Sequence, residues 1–269
     1  MKDGQPSLET SSIAVGDPKS QVRERVQGEL RKVALPDFHF HSDFSEFIAD
    51  CRGSSEATER LLKTAYYQSA KVVFITPDNC LEKLRLVSLK AGKIVLITTY
   101  AIGRGFWLLG PATISPARFE YASTLDGMEK LGRSVTVRNM IAEHLKVDLM
   151  VTGTGAINLE GVRFGKGHGF FDLEWGMLYE IEVISQETKA AVLVHDCQVL
   201  NEKLEPAVFD TVCDLVVIPS RIIEVRGAIK PVCGIIWHNL KRGMFESIPP
   251  LSELGEIKQI GPRQLGYVP

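Results

Sequence analysis

The chain has 269 residues, 45% of them hydrophobic and 24% charged, which suits a globular protein with a sizeable core in one large domain or two small ones. A formal net charge of −2 excludes the strong basic field of a general nucleic-acid binder. The five cysteines (Cys51, Cys80, Cys197, Cys213, Cys233) form no CxxC pair, and neither a signal-peptide core nor a membrane-length apolar run is present, so a cytoplasmic protein in a reducing compartment is expected, with neither membrane nor nucleic acid as partner.

Residues 1–16 are rich in Ser, Gly, Thr and Pro without periodicity, and read as a mobile tail. Asp17-Pro18 then supplies an N-cap followed by proline at the first helical position, and Val22, Val26, Leu30 and Val33 form the apolar stripe of the helix that begins there. Lys19 and Arg23 fall on a different face, where cations oppose the helix dipole. They are either solvated or held there for an anionic ligand. The next stretch, residues 36–55, carries His39, His41 and Asp43, residue types that suit several divalent ions. No second histidine cluster completes a site, and the expectation is an extended segment with Phe38, Phe40 and Phe44 packed inward.

A helix carrying Leu61, Leu62 and Ala65 leads to an apolar strand over 72–75. The turn Thr76-Pro-Asp-Asn79, a helix with Leu81, Leu84, Leu86 and Leu89, and a second strand over 94–97 complete a βαβ unit. Gly103-Arg-Gly105 reads as a loop or bulge. Residues 111–146 show no ordered pattern except a helix expected over 139–145. Further apolar strands are expected over 147–151, 190–194 and 214–218, alternating with helices throughout. Together these predict an α/β fold, a three-layer α/β/α sandwich with a mainly parallel sheet. The α/β domain is assigned to 17–230, and residues 231–269, with Trp237 and the Pro249-Pro250 break, to a C-terminal extension packed on it.

The most informative stretch is Gly161-Val-Arg-Phe-Gly-Lys-Gly-His-Gly-Phe-Phe-Asp172. Phe171, Trp175, Leu178 and Ile181 follow at helical spacing, so the glycines lie on a loop feeding a helix N-terminus. Exposed backbone N–H groups and the positive end of the helix dipole favour an anion there, and Arg163 and Lys166 add charge. The spacing fits neither the P-loop nor the dinucleotide fingerprint, so this is either an anion loop of another kind or a structural tight turn. A carboxylate beside a phosphate suits Mg²⁺, which is bound by one or two carboxylates plus phosphate oxygens, and Asp172 is a candidate. Asp196 and Asp210 lie at or beyond strand ends, where ligands of open α/β sheets collect, although for either one alone a cap or turn role is the better explanation.

The run from Val147-Asp-Leu-Met-Val-Thr-Gly-Thr-Gly through Asn158-Leu-Glu-Gly-Val-Arg-Phe-Gly-Lys-Gly-His-Gly-Phe-Phe-Asp172 resembles the signature of the 5-formyltetrahydrofolate cyclo-ligase family, also called methenyltetrahydrofolate synthetases. Lys19-x-x-x-Arg23 is similar to that family's N-terminal basic pair, and Gln198 followed by Asp210 and an apolar strand resembles its C-terminal block. The resemblance implies a cyclo-ligase, CoA-transferase-like sandwich and ATP- and Mg²⁺-dependent closure of 5-formyltetrahydrofolate to 5,10-methenyltetrahydrofolate. By position it implies that Lys19, Arg23, Arg163, Gly165, Lys166, Gly167, His168, Gly169, Phe170, Phe171 and Asp172 hold the nucleotide. Lys166 and Arg163 would be catalytic, and Asp172 and Asp210 would bind the metal. The expected partner is a reduced folate, and the expected assembly a monomer or small homo-oligomer. Departures are visible: Phe170-Phe171 stands where Tyr-Tyr is usual, and Thr76-Pro-Asp-Asn79 where the family carries the acidic residue that holds the pterin. The run His195-Asp-Cys-Gln198 and the chain past 220 are more similar to the divergent branch of cyclo-ligase-domain proteins. A non-catalytic nucleotide- or folate-binding module, or a related ATP-dependent ligase, is the alternative.

Overall fold

A computed structural model describes residues 18–37, 40–165, 167 and 169–260, residues 18–20 by their backbone alone. The tail over 1–16, and Phe38, His39, Lys166 and His168, lie outside it. In chain order the first elements are α1 (Pro18–Leu30), α2 (Ser54–Leu62), α3 (Ala65–Ser69), β1 (Val72–Ile75), α4 (Glu82–Lys90), β2 (Ile94–Thr98) and β3 (Phe106–Leu109). They are followed by α5 (Phe119–Ser123), α6 (Leu125–Leu131), β4 (Arg133–Val135), α7 (Val137–Ala142), β5 (Leu149–Thr152), β6 (Ala156–Asn158) and β7 (Arg163–Phe164). The remainder are α8 (Phe170–Glu180), β8 (Lys189–Leu193), β9 (Val199–Leu200), β10 (Leu215–Val217), β11 (Ile222–Glu224), α9 (Met244–Ser247) and α10 (Pro249–Lys258).

Eight strands form one sheet in the order β11-β10-β8-β5-β1-β2-β3-β4. The centre, β10-β8-β5-β1-β2, is parallel, and the outer strands β11, β3 and β4 join it antiparallel. The central strands are apolar except at their ends, at Thr98, Thr152 and Lys189, because both faces are covered. Phe74, Leu96, Met150 and Val192 point to one side, against Trp175 and Leu178 of α8, Met140 of α7 and Leu251 and Leu254 of α10. Their neighbours Val73, Ile75, Val95 and Val151 point to the other, against Leu61 of α2, Leu84 of α4 and Met128 of α6. The result is the expected three-layer α/β sandwich. Among the described residues no helix is long and apolar enough to cross a membrane.

Strict alternation of strand and helix does not hold. Between β8 and β10 the chain forms β9 instead of a crossover helix, and β9 pairs with β6 in a second sheet of order β7-β6-β9. α1 covers this small sheet, its Val26 packing with Ala156, Val162, Phe164 and Leu200. The predicted stripe of α1 faces inward, with Val26 and Leu30 buried and Val22 and Val33 half-buried.

Three local expectations are corrected. The segment from Phe40 onward is turned, not extended, because Asp37 Oδ2 accepts from the Phe40 and Ser42 N–H groups, and His41 and Ser42 take positive φ. Phe44 is nonetheless buried, and Phe40 stacks on Phe47 at 4.9 Å. The helix expected over 139–145 begins earlier, at Val137, because Thr136 and Asn139 form a capping box, and ends at Ala142, with His144 at a φ of 49° just beyond. Finally, Pro249-Pro250 opens a helix instead of breaking the chain: both prolines sit in the first turn of α10, where a missing N–H is tolerated.

Candidate functional site

Thr76-Pro77-Asp78, Thr99-Tyr100 and Thr152-Gly153 end or follow the neighbouring parallel strands β1, β2 and β5. With the glycine loop and the start of α8 they line a cavity of about 230 Å³ at the carboxyl edge of the sheet. That edge is where ligands of open α/β sheets bind. The turn after β1 is rigid: Asp78 Oδ2 accepts from Thr76 Oγ1 at 2.6 Å and from the Gly153 N–H at 2.9 Å. A side chain at 153 would meet Cys80 and Ile48 at 2.9 Å, so glycine lets β5 approach this closely. Beneath the turn, the buried Arg85 guanidinium donates to the carbonyls of Thr76, Asp78 and Ser123. Burial lowers its pKa to about 10, which still leaves it charged at neutral pH.

The glycine loop feeds α8 as expected. Gly167 and Gly169 have φ of 101° and 73°, the left-handed region that favours glycine, and Gly169 is the N-cap of α8. The first N–H groups of this 11-residue helix have no intrahelical acceptors and are available to an anion. Two cations from distant parts of the chain hold the loop by its carbonyls. Arg23 Nε donates to Gly165 O at 3.2 Å, and Lys241 Nζ to Gly167 O at 3.0 Å. Arg23 therefore reaches the loop from α1. Lys19 lies one turn earlier on α1, its side chain outside the described set, as are Lys166 and His168.

Arg163 and Asp172 form a buried ion pair, Nη2 to Oδ1 at 2.5 Å, and the Thr211 N–H donates to the same oxygen at 2.8 Å. The guanidinium lies 4.4 Å from the Phe171 ring centroid, a cation–π contact. Burial works against the Arg163 charge, but Asp172 beside it, with Cys213 and Asp210, raises its pKa above the ordinary value. Arg163 Nε has no hydrogen-bond partner among the described residues. Phe170, Phe171 and Asp210 line the cavity with this pair. Asp210 Oδ2 also accepts from the Ala207 N–H at 2.8 Å, so it fixes a turn as well. Asp196 lies apart, exposed and bonded to Ser220, and Gln198 is structural, bridging Thr154 O, Gly155 O and the His195 N–H.

Among the cavity residues that sequence reasoning did not single out is Glu174. It lies on the buried face of α8 between Phe171 and Trp175, interrupting the apolar stripe. Thr98 Oγ1 donates to its Oε1 at 2.5 Å, and burial raises its pKa to about 8. The signal was available: a carboxylate three residues after one buried aromatic and next to another cannot reach bulk water.

The chain is similar to known proteins over most of its length. The model of the 5-formyltetrahydrofolate cyclo-ligase family matches residues 15–220. A methenyltetrahydrofolate synthase domain-containing protein of Homo sapiens is 31% identical over 91% of this chain, and its Danio rerio counterpart 28% identical over 92%. The aligned chain spans 63% and 64% of the length of these two relatives. The NMR structure of Aquifex aeolicus 5,10-methenyltetrahydrofolate synthetase aligns with a TM-score of 0.49 at 19% identity, covering 79% of this chain and 95% of that one. With the family model matched across the glycine loop, both strand-end turns and the basic helix that reaches them, this chain belongs to the 5-formyltetrahydrofolate cyclo-ligase family.

Proposed function

We propose that the protein is an ATP- and Mg²⁺-dependent cyclo-ligase that closes 5-formyltetrahydrofolate to 5,10-methenyltetrahydrofolate, releasing ADP and phosphate. One observation carries this reading. An anion loop, with glycines in the left-handed region at the mouth of a helix, opens onto a cavity at the strand ends that has room for a second substrate. Such a layout suits phosphoryl transfer, which depends on positioning and charge neutralisation.

In this reading Arg23, Lys19 and Lys166 gather around the nucleotide phosphates, which also accept from the loop and first-turn N–H groups. Arg163 keeps Asp172 and Phe171 in place and has an N–H on Nε, without a partner among the described residues, to offer a phosphate. The carboxylates fit a divalent cation in part. Asp210 lines the cavity, whereas Asp172 already accepts from Arg163 and Thr211, so Asp210 would be the leading metal ligand and Asp172 a shared one. When bound, Mg²⁺ supplies charge neutralisation at the phosphate oxygens. Asp78, held by Thr76 and Gly153, stands where the family's pterin-binding acid is expected. Transfer of the γ-phosphoryl group to the formyl oxygen makes the formyl carbon electrophilic, folate N10 attacks that carbon, and phosphate leaves to give the methenyl bridge.

Two measurements test the proposal. Lys166→Ala should abolish ATP binding in calorimetry while the circular dichroism spectrum stays that of the wild type. Unchanged nucleotide affinity would remove the phosphate loop from the mechanism. Purified wild-type protein with 5-formyltetrahydrofolate and Mg-ATP should develop methenyltetrahydrofolate absorbance. If ATP binds and no absorbance appears, the loop serves a different acceptor or a non-catalytic module.

A further inference from the structure

A second cavity borders the glycine loop. It measures about 150 Å³ and shares Gly167, Gly169, Asp172 and Phe209 with the cavity at the strand ends. Its apolar walls include Leu173 of α8 and, from the C-terminal extension, Ile235, Ile236, Leu240 and Met244. The extension residues lie beyond 220, where the match to the family model ends. They are nonetheless seated firmly on α8. The Ile235 N–H donates to Glu180 Oε2 at 2.9 Å, and Pro231 O accepts from the Trp175 indole at 3.0 Å. A side chain at 176 would meet Ile235 at 2.9 Å and Gly234 O at 3.1 Å, so glycine there lets helix and extension approach this closely. The Lys241 bond to Gly167 O ties the same segment to the loop itself. The cavity is therefore preformed.

Its chemistry and its place decide what fills it. An apolar cavity of this size admits a flat aromatic ring. Phe209, 43% exposed and bordering both cavities, offers a ring face for stacking. Asn239 ends a helical turn over Trp237–Asn239, lines the cavity and is exposed, and its amide carries a donor beside an acceptor. That pair matches the hydrogen-bonding edge of a purine.

We propose that this second cavity holds the purine base of the nucleoside triphosphate whose phosphates lie on the glycine loop, with Asn239 reading the edge of the base. The loop and the first turn of α8 border both cavities. A ligand anchored there by its phosphates puts its reacting end in the first and its base in the second. This assignment rests on the nucleotide reading above, and it gives the C-terminal extension a task of its own, recognition of the base.

Calorimetric titration of the full chain with ATP and with inorganic tripolyphosphate, at one Mg²⁺ concentration, tests it. Tripolyphosphate carries the anion without the base. Leu240→Trp, which fills the cavity, should weaken ATP binding at least about tenfold and leave tripolyphosphate affinity within about twofold of the wild type. Retained tripolyphosphate binding also shows that the loop is intact in the variant. Asn239→Ala, at an exposed position, should weaken ATP binding about threefold to tenfold and leave tripolyphosphate binding as it was. In the wild type the heat-capacity change on binding should be more negative for ATP than for tripolyphosphate, because ATP alone buries an apolar ring.

ATP affinity unchanged in Leu240→Trp would overturn the assignment and leave the nucleotide reading standing. A loss of 5-formyltetrahydrofolate affinity in that variant, with ATP binding unchanged, would give the cavity to the second substrate. If Leu240→Trp loses both anions, Asn239→Ala and the heat-capacity difference decide. A loss confined to ATP supports the assignment, and equal behaviour of the two ligands overturns it. If the wild type binds no ATP, the nucleotide reading falls and this assignment falls with it.

Discussion

Arg163→Ala is expected to lower the free energy of unfolding by about 3–5 kcal/mol, as removal of one partner from a buried ion pair does. The Asp172 carboxylate is enclosed with Arg163, and among the described residues the Thr211 N–H would be left to solvate it. The Phe171 ring would lose its cation at the same time. Chemical denaturation of the wild type and the variant measures the difference directly. Arg133 makes a useful internal control, because its bidentate pair with Glu143 lies in solvent. Arg133→Ala should change stability by no more than about 1 kcal/mol. A loss of similar size at both positions would show that Asp172 is not isolated from water. The double substitution Arg163→Met, Asp172→Leu should recover much of the single-variant loss, since an apolar replacement leaves no stranded charge. Stability recovered without nucleotide binding would separate the pair's structural role from its part at the loop.

Trp175→Ala should be comparably severe, about 3–5 kcal/mol for a large side chain removed from a packed layer. Trp175 is fully buried, its Nε1 donates to Pro231 O at 3.0 Å, and the Lys230 ammonium lies 5.9 Å from its ring. Ile235, Ile248, Leu251 and Leu254 complete the same layer. The indole is thus packed between the sheet and the segment beyond residue 230. Denaturant midpoints with unchanged slopes would attribute the loss to packing. A change below about 1 kcal/mol would mean that this layer closes over the gap, and that the C-terminal helices are held more loosely than their burial indicates.

The parallel strands were legible because two-sided burial leaves runs such as Val72–Ile75 and Leu215–Val217 apolar throughout. The elements between residues 111 and 146 were not. α5, α6 and α7 have five, seven and six residues, too few turns for a helical period to emerge. β9 has two residues, and its place is set by β6, some forty positions earlier, which no local pattern encodes. The site divides the same way. The glycine loop is contiguous, and its backbone needs are written in the residue types. Thr98, Asp78, Arg85 and Glu174 come from four separate elements and converge only when the sheet forms. Arg23 reaches the loop through a side-chain bond across 142 positions, so its spacing from Lys19 told only that a basic pair existed.

The two carbonyl contacts on the glycine loop also constrain when the protein can first recognise anything. One comes from α1 and the other from Lys241, near the far end of the described chain. One face of the sheet is covered in part by side chains of α10. While the polypeptide is still being made, α8 has emerged with Phe171 and Trp175 lacking their cover, and the loop lacks its second support. Competence to hold a ligand therefore waits until the chain has been made past Lys241. Until then the half-built chain exposes a broad apolar face of the kind that chaperones engage.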